Sequence, residues 1–490
     1  MIDITGVLEP YAKTPTGEKI SLHKQLVERL QRAILSGRLP SGVVLSSSRT
    51  LASELGISRN TVVLAYEHLA AEGYVIADQQ GTRVAKLNLQ SEVLNSDIET
   101  KEKPFTLANR WETFSDVSSQ SLPTAALLAP GLPSLTDFPL ALWRRSLERA
   151  VKQLYRHSLA SKDPLGEQSL RKAIAVHLQI SRGVQCDAEQ VVITEGAQQA
   201  LELCVKLMTN PDDTIWIEDP CYNGAKSVLD IETFKIIPIP VDKEGISVPH
   251  DLWLTNVPKL VFTSPAHQYP TGSVLSVSRR LELLDQARKA GSWIIEDDYD
   301  GDFRHLGSPI ASMQGLINNS PVIYIGSFSK TMYPTLRIGF MVLPKQIMNQ
   351  AAPVLSKLLR SSNQIQQTAL ADFMTSGEFG RHLGRMRRIY RERQKVLKTA
   401  LVQHFKQNWI LGGSAGMHLT LKLPVSIDDK YIARKAQELG INVHALSTFY
   451  SKAQSNHSGL VIGYGNTHKD KIPEAVDILS KLIKFKEYKF

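Results

Sequence analysis

From residue 126 onward, short runs rich in β-branched and aromatic residues alternate with amphipathic helical stretches, and this alternation constrains the fold more than any other feature. The runs include Val191-Val192-Ile193, Thr214-Ile215-Trp216-Ile217, Lys259-Leu260-Val261-Phe262, Trp293-Ile294-Ile295 and Val322-Ile323-Tyr324-Ile325. A helix between two strands carries the chain back to start the second strand parallel to the first. The repeat therefore predicts an α/β domain with a mostly parallel central sheet and helices on both faces. Ligands bind such sheets outside the carboxyl ends of the strands.

Five of these ends carry polar or aromatic residues. Glu195-Gly196-Ala197-Gln198 follows the first run and opens a helix, whose free N–H groups and dipole suit a phosphate. Tyr222 follows Glu218-Asp219-Pro220-Cys221, and Ser264 to Gly272 (SPAHQYPTG) follows the third run. Glu296-Asp297-Asp298-Tyr299-Asp300 places carboxylates and a phenol after the fourth, and Ser327-Phe328-Ser329-Lys330 ends the fifth, with Arg337 seven residues on. One ligand asks for all of these groups: a phosphorylated pyridine aldehyde, pyridoxal 5'-phosphate. It needs an amine for a Schiff base, a carboxylate at the pyridine nitrogen, a ring to stack on, a donor at its phenolic oxygen and a phosphate cradle. The spacing assigns Lys330 the imine, Asp297 the pyridine nitrogen, Tyr299 the phenolic oxygen and Tyr222 the stacking. Ala197, Gln198, Ser327 and Arg337 take the phosphate.

The first 88 residues read differently. Leu22, Leu26, Leu30 and Ile34 share one helical face behind Ser21, and Gly37 stops that helix. A second helix from about Arg49 to Leu55, the turn Gly56-Ile57 and a third helix from Arg59 to about Glu72 behind Ser58 make a helix-turn-helix. Its expected core is Leu51, Leu55, Val62, Ala65, Tyr66 and Leu69. Tyr74-Val75-Ile76 and Thr82-Arg83-Val84 then form a hairpin wing around Asp78-Gln79-Gln80-Gly81. Ser58, Arg59, Asn60 and Thr61 sit at the helix end that enters a major groove, with Arg49 and Arg83 placed for backbone or groove contacts.

Residues 89–125 are polar and aperiodic, which predicts a linker between a domain of residues 1–88 and one of residues 126–490. The 490-residue chain carries a net charge of +9, a weak pointer to nucleic acid. The surplus is local: residues 1–90 hold ten Lys/Arg against eight Asp/Glu, whereas residues 381–400 hold eight against one. Arg381, Arg385 and Arg388 recur on one helical face, either a solvated face paired with acids elsewhere or an auxiliary phosphate-contacting surface. Three cysteines (Cys186, Cys204, Cys221) without a Cys-x-x-Cys pair exclude a disulfide framework and a zinc ribbon, and no metal site is expected. With neither a signal peptide nor a membrane-spanning apolar run, a cytoplasmic location is expected.

Residues 20–85, with LSSSRTLASELGISRNTVVLAYEHLAAEGYV, resemble the GntR-type winged helix. Ser46 stands where that family usually has proline, which should loosen a turn without removing a contact group. Residues 126–490 resemble class I, fold-type I aminotransferases through EGAQQALEL, EDDYDGDFR and GSFSKTMYPTLRIGFMVLP, and the fusion resembles the MocR/GabR family of transcriptional regulators. The resemblance implies a cytoplasmic, pyridoxal phosphate-binding homodimer, often built head-to-tail, with a smaller C-terminal α+β subdomain. Such regulators bind an operator in double-stranded DNA and respond to an effector: the cofactor, an amine or an amino acid.

Departures from the pattern bear on the effector. Aminotransferases hold a substrate carboxylate with an arginine near the C-terminus, but Arg434 is the last arginine here and residues 456–463 contain none. Gly224 stands where the GABA-responsive relatives have a second arginine. Ser161-Lys162-Asp163-Pro164 replaces the usual Tyr-Gly-Asp-Pro, and Tyr269 replaces the asparagine before Pro-Thr-Gly. A regulator is therefore expected, the alternative being a working aminotransferase with an accessory DNA-binding domain.

Overall fold

The computed structural model describes residues 21–79, 81–87, 126–153, 163–230, 233–305, 307–359, 363–451 and 456–487. The expected linker, residues 89–125, and Ser161-Lys162 lie outside the described residues, as does Gln80 of the wing turn. The chain divides into two units, Met1–Glu112 and Thr113–Phe490.

Three helices and a hairpin make the first unit: α1 (Leu22–Leu35), α2 (Ser48–Leu55), α3 (Arg59–Ala71), β1 (Val75–Asp78) and β2 (Gly81–Val84). Leu26, Leu30 and Ile34 recur at helical spacing on α1 and bury against Leu51, Val62, Ala65 and Leu69. Leu22, which begins the same row, is exposed in the first turn, and Leu55 is only half-buried. Gly56 closes α2 in the left-handed region (φ 65°), where a side chain would be strained. Ser58 then caps α3, its hydroxyl accepting from the Thr61 amide at 3.1 Å. The turn at Ser46 is tied down without proline: Ser46 is buried and its carbonyl accepts from the Tyr66 hydroxyl at 2.8 Å.

The second unit is built on an eight-stranded sheet of β3 (Val191–Thr194), β4 (Thr214–Asp219), β5 (Lys235–Asp242), β6 (Gly245–Ile246), β7 (Leu260–Thr263), β8 (Trp293–Asp298), β9 (Val322–Ser327) and β10 (Gly339–Val342). Their spatial order is β3-β10-β9-β8-β7-β4-β5-β6. The pairs from β9 through β8, β7 and β4 to β5 are parallel, and β10 runs antiparallel to both its neighbours. β3 thus points the same way as β9, so six carboxyl ends, including the five singled out from the sequence, open on one edge. β3, β7 and β10 are buried along their whole lengths, as expected of strands covered on both faces. A smaller antiparallel sheet, β11 (Ile410–Leu411), β12 (His418–Leu423), β13 (His444–Ala445) and β14 (Ser458–Gly463), runs in the order β11-β12-β14-β13 beside the helices Glu378–His404, Asp429–Glu438 and Ile472–Glu487. No helix among the described residues is long and apolar enough to cross a membrane.

The basic stretch lies on the 27-residue helix Glu378–His404. Two of the three arginines on its charged face have acidic partners: Arg381 with Glu378 at 2.8 Å and Arg385 with Asp137 at 3.4 Å. Such exposed pairs are worth little energy, but they place counter-charge on much of the stripe. Arg388 is exposed.

Candidate functional site

At the shared strand edge of the second unit lies a cavity of about 400 Å³. Ala197, Gln198, Tyr222, Asp297, Tyr299, Ser327, Lys330 and Arg337, the eight residues selected from the sequence, all line it. Lys330 leaves β9 and donates from Nζ to the Gly131 carbonyl at 2.6 Å. Gly131 makes room for the amine: a Cβ there would lie 2.8 Å from Nζ, and its φ of +73° already favours glycine. Burial lowers the pKa of the Lys330 ammonium below the ordinary lysine value, against the attraction of Asp300 and Asp297. That shift favours the free, nucleophilic amine.

Asp297 ends β8 on the cavity floor, 5 % exposed, and its Oδ1 has no hydrogen-bond partner among the described residues. Burial, with Asp298, Glu218 and Asp300 adding negative charge nearby, pushes its pKa up to about 7. An unpaired buried carboxylate is costly, and a protonated ring nitrogen would satisfy both its lone pair and its charge. Tyr299, raised well above the usual phenol value by burial and Asp300, stays protonated and able to donate. Tyr222 begins the helix Asn223–Leu229, and its ring folds back over Gly224 so closely that a Cβ there would sit 2.4 Å from the ring. Glycine at 224 thus has a packing reason of its own besides the arginine it lacks.

The opposite end of the cavity is a cradle for an anion. Gly196 (φ 91°) starts the helix Ala197–Met208 without a side-chain cap, so the first amides are left open toward the cavity wall formed by Ala197 and Gln198. Ser327 donates to the Ser329 hydroxyl at 2.9 Å and accepts from the Ser329 amide at 3.1 Å. Arg337 is held in the left-handed region (φ 53°), a conformation worth about 1–3 kcal/mol of strain, beside Gly196. No ion pair is formed by Arg337 among the described residues. These groups fit a phosphate, and with Lys330 and Asp297 they fit the whole phosphorylated pyridine.

Several lining residues escaped the sequence reading of roles: Gly131, Ser329, Asp300, Met417, His418 and His444, while Tyr269 was noted only as a departure. Ser329 and Asp300 stand inside the quoted motifs and were open to discovery. Met417, His418 and His444 come from the C-terminal sheet, with no local signal to connect them to Lys330. Arg337 is the only arginine among the described lining residues, and it stands beside Gly196 at the start of the helix Ala197–Met208.

In the first unit, α3 presents Arg59 and Asn60 exposed at its N-terminus. Ser58 and Thr61 are occupied with each other, their hydroxyls 2.8 Å apart in the cap. Arg59 reaches only a long contact, 3.5 Å, to Ser48, and Arg49 is exposed on α2. Arg83 on the wing pairs with Asp78 at 2.7 Å, a bond that any phosphate contact would have to replace.

A helix-turn-helix with a wing, joined to an α/β domain whose strand ends converge on a lysine, a buried carboxylate and an anion cradle, defines a class: a DNA-reading module with an aminotransferase-like sensor. Residues 22–84 match the model of the gntR family of bacterial regulatory proteins, and residues 140–479 that of class I and II aminotransferases. The chain is 34% identical over 465 residues to the probable rhizopine catabolism regulatory protein MocR of Rhizobium meliloti, covering 94% of this chain and 93% of that protein. It is 30% identical over 478 residues to the HTH-type pyridoxine biosynthesis transcriptional regulator PdxR of Corynebacterium glutamicum, covering 96% and 97%. A kynurenine aminotransferase of Pyrococcus horikoshii, solved in complex with PMP, superposes with a TM-score of 0.67 at 25% identity, over 81% of this chain and 98% of that one. The chain belongs to the MocR/GabR family of HTH-type transcriptional regulators, DNA-binding proteins with an aminotransferase-like domain.

Proposed function

We propose that this regulator binds pyridoxal 5'-phosphate in the strand-edge cavity and couples its occupancy to operator affinity. The observation that carries the reading is Asp297 Oδ1, buried without a hydrogen-bond partner among the described residues, in the same cavity as Lys330 and the anion cradle. When bound, the cofactor supplies an aldehyde that condenses with an amine. Lys330 would provide that amine, Asp297 would accept the hydrogen bond of the pyridinium N–H and Tyr299 would donate at the phenolic oxygen. Tyr222 covers the ring, while Ala197, Gln198, Ser327, Ser329 and Arg337 hold the phosphate. Arg59 and Asn60 read base edges, Ser58 and Thr61 hold the reading helix, and Arg49 and Arg83 meet the backbone.

The protein works as a homodimer in this reading, possessing two reading helices for a two-part operator. Ligand binding alters operator affinity because the two arrangements of the dimer bind the ligand unequally. Among the described residues no second arginine lines the cavity, which favours the cofactor itself, or an amine without a carboxylate, over an amino acid as effector. The test is an operator titration by full-length protein with and without pyridoxal phosphate. Wild type should change affinity on loading and Lys330→Ala should not; an equal response from both would sink the coupling. Rapid transamination of common amino acids would instead favour the enzyme.

A further inference from the structure

Behind Tyr299, on the side away from Lys330's strand, lies a buried group with no role in the cofactor site as described so far. His267, in the segment after β7, has its Nδ1 3.0 Å from the Tyr299 hydroxyl and 3.0 and 3.1 Å from the two oxygens of Asp300. His267 and Asp300 are both 2 % exposed. Gly416 closes over them: a Cβ there would lie 2.3 Å from the carboxylate and from the imidazole. One nitrogen thus faces two side chains, a carboxylate and a phenol, and it carries at most one proton.

A carboxylate can only accept, so its approach to Nδ1 places the imidazole proton on that nitrogen. The alternative tautomer, with the proton on Nε2, forfeits the bond to Asp300 and leaves its own proton unbonded. Nε2 is buried with no hydrogen-bond partner among the described residues, and a stranded N–H costs more than a stranded lone pair. We propose that Asp300 and His267 orient the proton of Tyr299: the carboxylate fixes the imidazole proton on Nδ1, and Tyr299, unable to donate to that nitrogen, directs its own hydroxyl proton into the cavity at the ligand's phenolic oxygen. The inference rests on the pyridoxal reading of the cavity and adds two positioning residues to it.

The groups facing His267 from the other elements do not compete for this role. His418, opening β12, lies tilted against it with ring centroids 5.0 Å apart and donates from Nε2 to the Pro270 carbonyl at 3.1 Å. Burial and the neighbouring His267 push its pKa down to about 3, so it is uncharged near neutrality. His305, bonded to the Gly416 carbonyl and the Tyr464 hydroxyl, is lowered to about 4, mainly by burial. Among the described residues, the other carboxyl and amino groups acting here are Glu218, which accepts from Thr263, Ser264 and Gln268, and Lys330 and Asp297, which line the cavity.

The sign of one shift separates this device from simple electrostatics. A donor at the phenolic oxygen lowers that oxygen's basicity, so the proton it shares with the Lys330 nitrogen leaves at lower pH. Replacing Asp300 frees Nδ1 to accept from Tyr299, and the donor is lost. The experiment follows the visible absorbance of the full-length, pyridoxal phosphate-loaded protein against pH in wild type, Tyr299→Phe, Asp300→Ala and Asp300→Leu. Tyr299→Phe and the Asp300 variants should all raise the midpoint by about one to two pH units, the size of one lost hydrogen bond to a charged oxygen. Without the device, deleting a negative charge near Lys330 lowers the midpoint, so a fall, or no change, in both Asp300 variants overturns the proposal. In the Tyr299→Phe background, Asp300→Ala must no longer raise it; a rise there also overturns it. If Asp300→Ala does not fold, Asp300→Leu, of similar size and without an acceptor, reads the same sign. Absence of a visible band in loaded wild type would contradict the cofactor reading itself, and this inference with it.

Discussion

Asp297→Asn should move two stabilities in opposite directions. The carboxyl titrates at about 7 in the folded chain against an ordinary value of 3.8, because it is buried among other acids. An acid whose folded pKa is raised costs nothing below its unfolded pKa, where both states are protonated. The cost grows as pH rises from about 4 to about 7, while the unfolded state alone ionises. Thermal unfolding of the cofactor-free variant should therefore show a gain over wild type that is absent at pH 4 and reaches a few kcal/mol at pH 8. The gain in melting temperature on adding pyridoxal phosphate should shrink sharply in the variant, since a neutral amide cannot balance a pyridinium charge. A variant no more stable at pH 8, yet still stabilised by the cofactor, would remove Asp297 from the pyridine nitrogen.

Arg59→Ala should remove specific operator binding while leaving the weak, salt-dependent attachment to any duplex. The guanidinium stands exposed at the first position of α3 with only a long contact to Ser48, so deletion leaves the helix intact. Loss of one good base-edge contact costs about 1–3 kcal/mol in each half-site, about 5- to 150-fold in affinity per half-site. Ser58→Ala offers a contrast. Its hydroxyl caps α3 through the Thr61 amide, so its loss should lower stability by about 1 kcal/mol and affect binding mainly through fraying. Operator affinity unchanged in Arg59→Ala would mean that α3 is not the reading helix.

Much of this was legible because the chemistry clusters at strand ends. Asp297 and Tyr299 come within a few residues of the apolar run Trp293-Ile294-Ile295, and Lys330 follows β9 at the same edge. The hidden parts depend on contacts distant in sequence. Nothing near Lys330 announces Gly131, whose carbonyl holds its amine across 199 positions. Nothing near Arg385 announces Asp137, its partner 248 positions away, so the sequence left the basic face open between two readings. The reading helix shows a third limit. Four polar residues at its start looked equivalent, but the cap engages Ser58 and Thr61 with each other and leaves Arg59 and Asn60 exposed.

Everything proposed for the cavity depends on Lys330 being the residue to which the cofactor attaches. Reduction of the loaded full-length protein with borohydride, followed by peptide mass mapping, reads that attachment without intermediary, because reduction makes a Schiff base permanent. One pyridoxyl group per chain is expected on the peptide containing Lys330, and none on Lys330→Ala. Label spread over other lysines, or retained at the same level in Lys330→Ala, would show that the cofactor is held elsewhere.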